Sequence, residues 1–274
     1  MRVKAITSRN NPSFKEMLSL LSGPGVKKAG MTLLSGPKQV REVLEDFPER
    51  CGGMVLTGKQ EAPGIPGDIP LYRLNPELFR RIDVFGTNQP LLLVRCDPLP
   101  LWNRRDWPQG CTLFVPFQDP SNVGAVIRSA AAFGVARVIL LRGAAHPFHP
   151  KSFRVAGSNL FRIPLVKGPG IDELAESDVP VITLSTGGLS IGDYRFPRTF
   201  GLLPGLEGPG LPEACRHRPS VGIPMEPGVE SLNAALATGI ALYVWKSSAV
   251  KGNFAGRGPV RGAGRPFRKK SGID

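Results

Sequence analysis

The sequence predicts an α/β protein: a C-terminal domain built on a mostly parallel sheet covered by helices, preceded by a smaller α/β unit. Three observations predict it. From residue 111 onward short apolar runs alternate with helical stretches, the rhythm of a sheet whose parallel strands are joined by crossover helices. A chain of 274 residues with 41% hydrophobic side chains can bury two cores. Between them, residues 97–110, "DPLPLWNRRDWPQG", crowd proline, charge and two tryptophans into the composition of a connection. The expected division is 1–98, a linker at 99–110, a domain at 111–248 and a tail at 249–274.

In the first unit, helical patterns run around Pro12 to Leu21 and Lys38 to Phe47, and apolar runs at 54–57 and 91–95 read as strands. In the second, "CTLFVPF" at 111–117 is a strand, followed by a helix that Ser121 or Asn122 can cap and Gly134 can end. "ARVILL" at 136–141 is the next strand, then a helix near 150–158, then strands in "VPVITLS", "TFGLL" and "SVGIP". A long helix is expected from about 229 to 247, where Val229, Leu232, Leu236, Ile240 and Tyr243 recur at helical spacing and mark a core face. Beyond Ser248 the chain is rich in glycine and arginine with almost nothing to bury, so the tail is expected to be disordered.

Thirty-five Lys and Arg against 22 Asp and Glu give a net charge of +13. Such a balance attracts polyanions, and nucleic acid is the expected partner. The tail carries seven of the basic residues and one acid, which leaves about +7 on the rest, so both parts are basic. The tail is expected to add affinity for nucleic acid without choosing its target. Four cysteines, at 51, 96, 111 and 215, have no metal-ligand spacing and read as reduced, mostly buried thiols, which suits a cytoplasm. No apolar run reaches the roughly 18 residues of a membrane span, and the N-terminus lacks the apolar core of a signal peptide, so a membrane partner and export are not expected. His146 and His149 have ligand-like spacing but no third partner in view, and no metal is expected.

Three stretches can carry chemistry. "DPSNVGAVIRSAAAFG" sets Arg128 on a helix of small residues, with Asn122 six residues before it, near the helix mouth. Arg128 can approach another backbone or subunit closely, or it can snorkel to the surface. "LLPGLEGPGL" places glycines around Glu207 directly after a strand, where the backbone can approach a ligand or cap a short helix. "IPMEPGVESLNAALA" puts Ser231 and Asn233 near a helix start, where capping is the plainer reading.

In this order, each at a strand-to-helix turn, the three stretches resemble the motifs of the SpoU (TrmH-type) branch of the SPOUT RNA 2′-O-methyltransferases, over about 111–248. "ITSRNNPSFKEMLSLL" and "LLSGPKQVREVLE" look more loosely like the L30e-like substrate-binding domain that many of these enzymes carry. The resemblance implies a trefoil-knotted domain, a homodimer with the site at the subunit interface, and S-adenosylmethionine-dependent methylation of rRNA or tRNA. It places Asn122, Arg128, Glu207, Ser231 and Asn233 at the active-site positions, and the cofactor pocket on Gly205, Ile223, Leu232 and nearby Met225. Leu206, Ala234 and Ala235 depart from the usual pattern and leave the five polar positions intact. The competing class is an RNA-binding protein with a catalytically dead methyltransferase fold.

Overall fold

The computed structural model describes residues 3–64, 69–174, 179–206, 211–215 and 217–254. Its N-terminal part runs β1 (Val3–Ile6), α1 (Pro12–Ser19), α2 (Gly23–Ala29), β2 (Met31–Leu34), α3 (Pro37–Asp46), β3 (Cys51–Thr57), β4 (Leu71–Leu74), α4 (Pro76–Ile82) and β5 (Leu91–Arg95). The strands form one sheet in the order β1-β4-β3-β5-β2, parallel from β1 to β3 and antiparallel where β5 joins β3 and β2. The starts of the helices are fixed locally. Asn11, Ser22 and Asn75 each accept a backbone N–H of the first turn, and a proline follows each within two residues.

The C-terminal part runs β6 (Gly110–Val115), α5 (Pro120–Phe133), β7 (Arg137–Leu140), α6 (Pro150–Ala156), β8 (Leu165–Lys167), β9 (Val181–Ser190), β10 (Thr199–Leu203), β11 (Ser220–Gly222) and α7 (Ala234–Phe254). Its six strands are all parallel, in the order β11-β9-β10-β6-β7-β8. All their C-terminal ends therefore lie along one edge, the edge at which open α/β sheets present their ligand loops. A buried cluster including Phe114, Ile139, Val181 and Leu203 covers one face of this sheet. The larger core covers the other face and continues into the first sheet through Leu34, Val43 and Leu92, so the two units share packing.

The connection between the units is anchored: the Trp102 backbone N–H donates to the Lys167 carbonyl at 2.9 Å, the Lys167 N–H donates to the Pro100 carbonyl at 2.8 Å, and Trp102 packs edge-on to both Trp107 and Phe114. Aromatic side chains in a proline-rich connection need a surface to cover, and the sheet face supplies it. Two expectations need correction. The last helix starts at Ala234 and continues to Phe254, into the stretch read as tail; residues 255–274 lie outside the described ones. The expected core face is also displaced. Val229, Leu236 and Tyr243 are 50%, 55% and 59% exposed, while Ala235, Thr238, Ala241 and Leu242 are buried. Gly239 lets α7 come close to α5, where an added Cβ would stand 3.5 Å from the Ser129 hydroxyl, while Tyr243 lies edge-on to Phe133 of α5 and stays half exposed.

The two units are also joined by polar and aromatic contacts. Thr32 in β2 donates its hydroxyl to the Phe148 carbonyl at 2.6 Å, and Arg154 in α6 lies 4.3 Å over the Phe85 ring. The Phe47 and Phe161 rings meet at 5.1 Å, with Arg162 over the first and Arg50 over the second. Among the described residues, no helix is long and apolar enough to cross a membrane.

Candidate active site

A cavity of about 700 Å³ opens at the C-terminal edge of the second sheet. Its walls come from successive turns: Leu184, Ser185 and Thr186; Pro204, Gly205 and Leu206 after β10; Ile223 and Met225 after β11; and Glu230 to Ala234 before α7. Gly205, Ile223, Met225 and Leu232, expected in the cofactor pocket, all line this one cavity, together with Ser231 and Asn233.

The first wall is a bulge. The pairing of β11 with β9 jumps from Thr183 opposite Ser220 to Leu189 opposite Val221, which pushes the residues between out of the ladder. A close crossing pins it. A Cβ on Gly188 would stand 2.5 Å from the Val221 carbonyl carbon, so only glycine fits. Sequence reasoning missed Ser185, Thr186 and Glu230. The Gly187–Gly188 pair inside a strand pattern is the signal that marks the bulge; no pattern marks Glu230.

Asn233 joins two motifs. Its Oδ1 accepts the N–H groups of Ala235 and Leu236 at 3.0 and 3.1 Å and so caps α7. That fixes its Nδ2 as a donor, and it donates to Asn122 Oδ1 at 3.1 Å. Asn122 sits in the first turn of α5. The cap there is Asp119, whose side chain accepts the Ser121 N–H at 2.7 Å, so the expected capping by Ser121 or Asn122 is corrected: the helix starts earlier, two residues before the first and three before the second. Gly134 ends the helix at φ 71, as its position implies.

Gly124 lets α5 approach α6: a Cβ there would meet the Ser152 carbonyl oxygen at 2.4 Å. Arg128 lies further along α5 and does not line the cavity. Its side chain is exposed, and among the described residues it has neither an ion-pair nor a hydrogen-bond partner. A six-residue separation turns an α-helix by roughly 240° and advances it by about 9 Å. Arg128 therefore springs from a different side of α5 than Asn122. Glu207 lies outside the described residues.

The other candidate groups have structural work. His146 Nδ1 accepts the Phe148 N–H and His149 Nδ1 accepts the Lys151 N–H. Burial, with positive neighbours, lowers the pKa of both, that of His146 to about 4. The four cysteines are free and buried, and burial pushes their thiols up, Cys51 to about 11, which makes them poor nucleophiles. Among the described residues no group of three or more His, Cys, Asp or Glu side chains could hold a metal ion.

Residues 112–243 match the model of the SpoU rRNA methylase family. The C-terminal domain belongs to the SpoU family. A protein of Syntrophobacter fumaroxidans named ribosomal RNA small subunit methyltransferase G 2 is 48% identical over 248 residues, 89% of this chain but 49% of that protein, so the chain spans about half the length of this relative. The Bacillus subtilis 23S rRNA (guanosine(2553)-2′-O)-methyltransferase RlmP is 28% identical over 88% of this chain and 98% of its own length. The crystal structure of the SpoU methyltransferase AviRb from Streptomyces viridochromogenes in complex with AdoMet superposes with a TM-score of 0.71, covering 88% of this chain and 100% of that one at 24% identity. The SpoU fold thus extends over both sheets of the molecule.

Proposed function

We propose that this SpoU protein is an S-adenosylmethionine-dependent RNA methyltransferase that modifies a ribose 2′-oxygen of rRNA or tRNA, working in the cytoplasm as a homodimer. The observation that carries the reading is the convergence of two motifs on one cavity: the Asn233 amide caps the helix beside the cavity and holds Asn122 of the first motif. The cavity fits the cofactor, since about 700 Å³ lies within the usual range for ligand pockets of roughly 300–1,000 Å³. Leu184, Ile223 and Leu232 would hold an adenine face, and the turn around Gly205 brings backbone groups to its edge. Bound there, S-adenosylmethionine supplies a methyl group activated by a sulfonium.

A ribose hydroxyl is a poor nucleophile, and the chain must stabilise the negative charge that develops as it attacks. Arg128 stays protonated and is therefore a clamp, its guanidinium fork holding a substrate phosphate and the nascent alkoxide. Asn122, Ser231 and Asn233 shape the site, and Glu207 is assigned to orient the arginine. Because Arg128 is exposed and does not line the cavity of its own chain, the reading gives it to the cavity of a second copy. The outward apolar face at Leu236 and Tyr243 supplies the surface for that pairing. The N-terminal sheet is taken as the L30e-like domain that grips RNA. Transfer of tritium from labelled S-adenosylmethionine to unmodified rRNA and tRNA pools, followed by nucleoside analysis for 2′-O-methylation, tests the reading. A protein that binds RNA without taking up the cofactor would favour the non-catalytic alternative.

A further inference from the structure

At the edge that carries the cavity, the turn after β7 meets the first unit. The Thr32 hydroxyl holds the Phe148 carbonyl, and Gly23 abuts His146, where an added Cβ would come within 3.3 Å of the imidazole-bearing Cβ. These contacts fix Lys27 of α2 and Lys151 of α6 across one seam, with Lys28 next to Lys27. All three lysines are exposed. The charges felt by the two imidazoles come from Lys27, Lys151 and the histidines themselves, with no carboxylate among them. None of the ion pairs among the described residues involves these lysines, although Lys38 and most of the arginines that hold the units together are paired.

We infer that Lys27, Lys28 and Lys151 form a phosphate clamp, built only when the two units dock, that holds the backbone of the same RNA whose ribose is methylated. The argument is one of position and charge. The turn after β7 is at the same sheet edge as the Asn122–Asn233 junction, so a strand of RNA entering the site can cross the seam. A positive surface with no acid to neutralise it favours a polyanion, and each phosphate held releases counterions. His149 stands at this seam: its Nδ1 accepts the Lys151 N–H and so ties the ring to the start of α6 beside that lysine.

The inference rests on the RNA reading, and its test separates the two. Wild-type protein and the single variants Lys27→Gln, Lys151→Gln and Lys59→Gln are titrated with in-vitro-transcribed 23S rRNA at several salt concentrations, with thermal melting as the folding control. Each seam variant should bind less tightly and lower the slope of log K against log salt by roughly 0.7–0.9, the value for one lost phosphate contact. Lys59→Gln, an exposed lysine in the turn between β3 and β4, should keep the wild-type slope. Unchanged slopes in folded seam variants would overturn the clamp, as would an equal loss in Lys59→Gln, which would put the attraction in overall charge. Methyl transfer by the wild type decides the enzymatic reading independently.

Discussion

One asparagine side chain at position 233 has two duties that can be separated chemically. Its oxygen caps α7 and its amide donates to Asn122. Asn233→Asp keeps a capping oxygen but replaces the donor with a second acceptor, which repels Asn122 Oδ1. Its melting temperature should stay close to wild type while methyl transfer falls roughly tenfold, the scale of one hydrogen bond lost and replaced by repulsion. Asn233→Ala removes both duties and should also lose about 1 kcal/mol of stability, the usual worth of an N-cap. Denaturant unfolding and turnover, measured on both variants, check the separation; equal turnover in Asn233→Asp and wild type would reduce the residue to a cap.

Helices and strands show what the sequence can and cannot declare. The strand "TFGLL" was legible residue for residue as β10, and α5 was bounded by Gly134, because glycine at a helix end has a local conformational cause. The start of α7 was misplaced by five residues, since Val229 and Leu232 continue its spacing without belonging to it. Periodicity also could not say which face of α7 is buried, because that depends on how α7 lies against α5, which is distant in the chain. The bulge in β9, at which the Gly187–Gly188 pair only hints, and the packing of Trp102 on Phe114 arise from contacts between segments far apart in the chain. The contact of α5 with α6 makes a test at this scale. Gly124→Ala puts a methyl 2.4 Å from the Ser152 carbonyl, and backbone cannot step aside cheaply. It should destabilise the protein by roughly 1–3 kcal/mol, the range for an overpacked core; chemical denaturation showing no loss would mean the helices are free to separate.

For the molecule as a whole, the proposal that a second copy completes the site rests on two exposed features, the apolar side chains of α7 at Leu236 and Tyr243 and the side chain of Arg128. Leu236→Glu places a charge on that face without touching the cavity lining, and sedimentation should show a monomer that still binds S-adenosylmethionine but no longer methylates RNA. An active monomer would return the arginine to its own protomer's surface. The most direct measurement is methyl transfer from tritiated S-adenosylmethionine to unmodified rRNA and tRNA by wild-type and Arg128→Ala protein, with cofactor affinity from titration calorimetry and thermal melting alongside. The account predicts label on ribose 2′-oxygens with the wild type and a turnover roughly 10²-fold lower or less in the variant, the scale of one lost preorganised electrostatic donor, with cofactor affinity unchanged. A folded Arg128→Ala protein that methylates RNA at the wild-type rate would contradict it.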